Sequence, residues 1–102
     1  MTRVRAAVAQ ARALPRSQDA IEKAALFAGE AAEAGAQLVV FPEALLGGYP
    51  RGASFGAVIG ERSPLGRDEF LAYSRQAVTV PGPEVDRLAK IAREHRLHLG
   101  LG

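Results

Sequence analysis

Apolar residues occur along this chain in three short runs with the character of β-strands. The first lies within residues 3–10 and is rich in Val and Ala, which favours an inner strand of a sheet. The second, residues 37–41, is apolar and partly β-branched, and it ends at Pro42, which cannot donate a hydrogen bond to a β-ladder. The third, residues 97–101, alternates Leu with other residues and predicts another strand.

Two other stretches have the periodicity of helices. In residues 19–34 apolar side chains recur at i, i+3, i+4 and i+7, with glutamates on the opposite side. We expect Ser17 to cap this helix and Gly35 to end it in the left-handed conformation. Residues 83–95 predict a second helix, because Pro83 suits the first helical position and basic residues in the last turn complement the helix dipole.

The middle of the chain, residues 44–67, is rich in glycine and has the least regular pattern. Irregular segments of this length in compact domains are usually functional or mobile. Residues 68–78 predict a further helix. Its candidate packing residues are Phe70, Leu71, Tyr73 and Ala77. Two prolines in residues 80–83 then predict an extended turn.

Taken in order, the elements are strand, helix, strand, loop, helix and strand. A helix that connects two strands of one sheet normally makes those strands parallel, with a right-handed crossover. The predicted fold class is therefore α/β, with three strands and two long helices packed on one face of the sheet. An open strand edge in so small a unit predicts poor solubility or association through that edge.

Composition narrows the classes of function. The chain has 102 residues, enough for one small domain, and its thirteen basic and eleven acidic residues are interspersed. We therefore expect no nucleic-acid partner. The sequence contains no cysteine, which excludes disulfides, thiolate metal sites and a cysteine nucleophile within this chain. No apolar run approaches the roughly 20 residues of a membrane span, so we expect a soluble, cytoplasmic protein.

Glu43 is the leading candidate for chemistry. It directly follows Pro42 at the C-terminal end of the second predicted strand, where ligands bind in open α/β sheets. A carboxylate in a partly desolvated pocket can take up and return a proton near neutral pH, which is the work of a general base. The structural alternative is an exposed carboxylate in a turn, or one that caps a neighbouring backbone segment.

Other residues are weaker candidates. Lys23 and Lys90 lie on predicted helices, beside acidic residues, and are interpreted as surface lysines. His95 and His98 are three residues apart, but a helix end falls between them, so their spacing defines no metal site. No glycine-rich phosphate motif follows the first strand, which argues against a nucleotide-binding fragment. No serine has the G-x-S-x-G context of a serine hydrolase.

Two motifs around Glu43 carry a family resemblance. FPEA at residues 41–44 and GGYP at residues 47–50 resemble the catalytic-glutamate segment of the nitrilase (carbon–nitrogen hydrolase) superfamily. The continuation RGASFG at residues 51–56 is more similar to the nitrilase branch than to the amidase branches. The resemblance runs through the whole chain but covers only the first third or so of such an enzyme. It implies that residues 1–102 are a partial domain, the N-terminal part of the nitrilase α-β-β-α sandwich.

The resemblance also implies a mechanism. Glu43 would be the general base for a cysteine thiol, which attacks the carbon of a nitrile, or of an amide in sister branches. A lysine would stabilise the tetrahedral species before water releases the acid. Tyr49 resembles the tyrosine beside the substrate pocket of nitrilases, and packing over the strand end is an equal alternative. The resemblance implies a homo-oligomer and no cofactor.

Two hypotheses of different class follow. In the first, the chain is the N-terminal part of a nitrilase that hydrolyses a nitrile to a carboxylic acid and ammonia. In the second, it is a non-catalytic module that binds or assembles with a full-length relative. In either case we expect no hydrolysis by this chain alone, because the lysine and cysteine motifs of the family lie beyond Gly102.

Overall fold

The structure, a computed structural model, describes residues 2–14, 16–47 and 64–102. Over these ranges there are three short strands and three helices. The strands are β1 (Ala6–Val8), β2 (Leu38–Val40) and β3 (His98–Gly100), and the helices are α1 (Ser17–Glu33), α2 (Pro64–Arg75) and α3 (Pro83–His95). All strand pairs are parallel, which confirms the predicted α/β class.

The sheet has the order β1-β2-β3, so β2 is its central strand. Val39 of β2 lies opposite Ala7 on one side and Leu99 on the other. The sequence predicts the first strand as an inner one, but among the described residues β1 pairs with β2 alone, and its Val8 is 84% exposed. An apolar composition indicates that a strand is partly buried, but it does not indicate the position of that strand in the sheet.

The core lies between the sheet and two helices. α1 and α3 pack against each other and against the face of the sheet that carries Val39, as expected for the two long helices. Along α1, mostly small side chains are buried: Ala20, Ile21, Ala24, Ala28 and Ala31. Their size allows the helices to approach closely. The opposite face of the sheet carries Val8 and Val40, which are exposed.

The C-terminal end of α1 matches the prediction. Gly35 has a φ of +84°, the left-handed conformation that glycine adopts at little cost. Its N–H donates to the Ala32 carbonyl at 3.0 Å, and the N–H of Ala36 donates to the Ala31 carbonyl at 2.9 Å. This pair of hydrogen bonds is the Schellman motif, which satisfies carbonyls at the end of the helix and turns the chain towards β2.

The predicted cap at the N-terminal end of α1 is wrong. Arg16 occupies the N-cap position, and no side chain caps the helix there, because Ser17 is already helical. The Arg16 guanidinium instead holds the Asp19 carboxylate through two hydrogen bonds, of 2.8 and 3.1 Å. This hydrogen bonding raises the pKa of Arg16.

The bounds of α3 agree with the predicted 83–95, whereas α2 begins and ends earlier than the predicted 68–78. The predicted packing residues of this middle helix are exposed, with Phe70 at 56%, Leu71 at 45% and Tyr73 at 39%, and Ala77 lies beyond the helix. Helical spacing identifies an apolar face without showing what covers it. Of the helices described, none is long and apolar enough to cross a membrane.

Candidate active site

Glu43 lies just beyond the C-terminal end of the central strand. Phe41, two residues before it, is buried, and its N–H donates to the Gly100 carbonyl of β3 at 2.8 Å. Leu45, two residues after it, is only 1% exposed. The chain is therefore anchored in the core on both sides of Glu43. Its exposed side chain lies at the C-terminal end of the parallel strands, where ligands bind in open α/β sheets.

The turn that carries Glu43 has an unusual backbone. Ala44 has a φ of +56° and Gly47 a φ of +89°, both in the left-handed region. Glycine tolerates this region, but alanine pays roughly 1 kcal/mol or more there, because its Cβ approaches the carbonyl oxygen. Such a conformation persists only where the surroundings hold it, and the adjacent Leu45 is buried in the core. Strained backbone of this kind is concentrated at functional sites.

Two distant segments approach this turn closely. A Cβ added to Gly47 would lie 3.0 Å from the carbonyl oxygen of Gln76, just after α2. A Cβ added to Gly102, just after β3, would lie 3.3 Å from the Cα of Glu43. Sequence reasoning did not connect Gln76 or Gly102 with Glu43, since only the parallel sheet and the path of the chain after α2 bring them together.

A pocket of about 320 Å³ opens beside Glu43. Its lining residues are Glu43, Ala44, Leu46, Gly47, Tyr73, Ser74, Ala77 and Gly102. Within the described part of the chain, the Glu43 carboxylate has no hydrogen-bond or ion-pair partner. It is exposed, so the described residues do not supply the desolvation expected around a general base. The Ser74 hydroxyl donates to the Leu71 carbonyl at 2.9 Å.

The remaining sequence candidates lie elsewhere. Tyr49 falls outside the described residues. Lys23 donates to the Arg12 carbonyl at 3.3 Å, and Lys90 pairs with Glu94 at 3.9 Å, so both lysines have surface partners away from the Glu43 pocket.

The two histidines do not meet at a common site. His95 lies against α1, where its Cε1 would be 3.6 Å from a Cβ added to Gly29, whereas His98 is exposed on β3. In the ranges that the structure describes, no group of three histidine, cysteine, aspartate or glutamate residues is placed to hold a metal ion.

A larger groove, of about 600 Å³, runs along α3 and β3. It shares Leu46 and Gly102 with the Glu43 pocket, but Glu43 does not line it. Its walls are mostly aliphatic side chains, and His98 is the single titratable residue among the described ones that line it. The groove offers apolar contact area and no carboxylate, so the Glu43 pocket is the candidate active site.

The chain is similar to known proteins over nearly its whole length. The family model described as carbon-nitrogen hydrolase matches residues 5–102. A bifunctional nitrilase/nitrile hydratase from Nicotiana tabacum is 51% identical over 100 residues, which cover 97% of this chain and 29% of that protein. An aliphatic nitrilase from Sinorhizobium fredii is 50% identical over 103 residues, covering 100% of this chain and 33% of that protein. The chain thus spans a third or less of the length of these curated relatives.

Proposed function

The chain belongs to the carbon–nitrogen hydrolase family, and on this premise we propose that it is the N-terminal part of a nitrilase in which Glu43 is the general base. The observation that carries the proposal is the position of Glu43. Its carboxylate follows the central parallel strand, lies beside a pocket, and is held between two buried residues of the chain. Roughly half-identity to nitrilases over the whole chain supports a nitrile as the substrate.

In the proposed reaction, Glu43 accepts the proton of a cysteine thiol as the thiolate adds to the nitrile carbon. The proton is then passed on towards the nitrogen, which leaves as ammonia, and two waters are consumed in forming the carboxylic acid. This sequence contains no cysteine, so the nucleophile has to come from outside these 102 residues. The part of the reaction that this chain supplies is the base and one side of the pocket.

A graft tests the role of Glu43. The segment of the Sinorhizobium fredii aliphatic nitrilase that matches this chain would be replaced by residues 1–102, and ammonia release from a nitrile would be measured. We expect the graft to be active and Glu43→Gln to lower kcat by about 10²- to 10⁴-fold, the usual contribution of a general base.

The matched control is Glu33→Gln, another exposed glutamate, which does not line the Glu43 pocket. It should leave the rate unchanged. Circular dichroism of both variants should match that of the parent graft, because the described structure gives Glu43 no partner to lose. A Glu43→Gln graft that keeps the full rate would contradict the role of this residue. A graft that folds but has no activity would instead favour the non-catalytic module.

For the purified 102-residue chain we expect no nitrile hydrolysis. The reason is chemical, because a carboxylate without a thiol cannot carry out the covalent step. The measurement is ammonia release at high protein concentration. Turnover that is abolished by Glu43→Gln in this isolated chain would refute the expectation.

A further inference from the structure

Tyr73 of α2 is one of the residues that line the Glu43 pocket, although its spacing in the sequence marked it only as a candidate for packing. We propose that Tyr73 is a specificity-determining residue, whose ring receives the substituent of the nitrile and favours substituents that contain an aromatic ring. The proposal rests on the proposed function, since it assigns a substrate class to the same pocket.

Contacts at the end of α2 position Tyr73 near the turn that carries Glu43. The N–H of Gln76 donates to the Tyr73 carbonyl at 3.1 Å, which closes a tight turn at the end of the helix. The carbonyl oxygen of Gln76 in turn faces Gly47, where an added Cβ would lie only 3.0 Å away. Tyr73 is thereby connected, through Gln76 and then Gly47, to the turn that carries Glu43. Tyr73 and Glu43 border one pocket because these backbone contacts bring α2 and the turn together.

The volume and lining of the pocket suit a small, largely apolar ligand. Its volume of about 320 Å³ is at the lower end of the range for small-molecule sites. Apart from Glu43, Tyr73 and Ser74, the lining residues are small or aliphatic: Ala44, Leu46, Gly47, Ala77 and Gly102. An aromatic substituent gains offset or edge-to-face contact with the Tyr73 ring, whereas a short alkyl chain covers less of it.

The first test measures binding to the 102-residue chain. Amide resonances of ¹⁵N-labelled protein would be followed during titration with phenylacetonitrile and with propionitrile. We expect saturable shifts at residues 43–47, 73–77 and Gly102, with phenylacetonitrile bound about 5-fold more tightly, within the range for an aromatic pair. Tyr73→Ala should remove this preference, and Tyr73→Phe should keep it. Equal affinities, or shifts confined to other residues, would overturn the proposal.

The matched control is Phe70→Ala. Phe70 is an exposed aromatic residue of the same helix, but it does not line the pocket. Its replacement should leave the preference for phenylacetonitrile intact. If Phe70→Ala and Tyr73→Ala reduce the preference equally, the effect belongs to α2 as a whole and the assignment to Tyr73 is rejected.

The second test uses the active graft described above and the ratio of kcat/KM for the two nitriles. Tyr73→Ala should lower the ratio about 5- to 10-fold, mainly through KM, and Tyr73→Phe should preserve it. Ala77→Leu places a larger side chain in the same pocket, and it should reduce turnover of phenylacetonitrile more than that of propionitrile. An unchanged ratio in Tyr73→Ala overturns the proposal. The base assignment fails separately, through a Glu43→Gln graft that keeps its rate.

Discussion

At the scale of single residues, the turn after β2 combines a candidate base with two left-handed positions. Ala44 and Gly47 both have positive φ, yet only Gly47 is a residue type that favours it. The buried Leu45 holds the turn from within. The position of Glu43 is therefore maintained by its neighbours, and substitutions at those neighbours should have effects of opposite sign.

We expect Ala44→Gly to stabilise the chain by up to about 1 kcal/mol, since glycine removes the Cβ penalty at a φ of +56°. We expect Gly47→Ala to destabilise it by at least about 1 kcal/mol, because the new Cβ would be strained at a φ of +89° and would press on the Gln76 carbonyl. Urea denaturation of each variant measures the free energy of unfolding. Changes of the same sign at the two positions would show that the turn has another conformation.

At the scale of elements, helical periodicity predicted both long helices and the side of α1 that is buried. The last turn of α1 also followed from the sequence, because a glycine after a helical stretch marks a left-handed residue. The position of β1 in the described sheet and the exposure of α2 did not follow from the sequence. An edge strand and a central strand can have the same apolar composition, and the apolar face of a helix does not indicate which element packs against it.

The buried stripe of α1 can be tested with two substitutions in one helix. Ile21 is 1% exposed between α1 and its neighbours, so Ile21→Ala should cost about 2–5 kcal/mol of unfolding free energy through lost contacts and a cavity. Leu26, on the same helix, is 63% exposed, and Leu26→Ala should change the free energy by about 0.5 kcal/mol or less. Thermal and urea denaturation give both values. Similar losses at the two positions would show that α1 is rotated about its axis.

At the scale of the whole molecule, the described sheet is covered by helices on one side only. On its other face Val8 and Val40 lie opposite each other in the parallel register, and both are exposed. Adjacent exposed valines on an edge and a central strand form an apolar surface of the kind that promotes association.

We therefore expect the 102-residue chain to self-associate as its concentration rises. The double variant Val8→Thr/Val40→Thr should shift the equilibrium towards the monomer, since it keeps β-branched residues and reduces the apolar area. Sedimentation velocity over a range of concentrations measures the change. Leu26→Thr, on the helical side, serves as the control and should leave association unaltered. A parent chain that is monomeric at every concentration would contradict this expectation.

Local sequence patterns were sufficient to predict the strands, the long helices, their order and the place of Glu43 beyond the second strand. These features depend on neighbouring residues, through backbone preferences, side-chain periodicity and the effect of proline on a β-ladder. Long-range contacts make β2 the central strand of the described sheet, leave one face of that sheet without a helix among the described residues, and bring Tyr73 and Gly102 beside Glu43. Those outcomes depend on which distant segments pair. The hydrophobic effect requires apolar surfaces to be buried but, being non-directional, does not specify their partners.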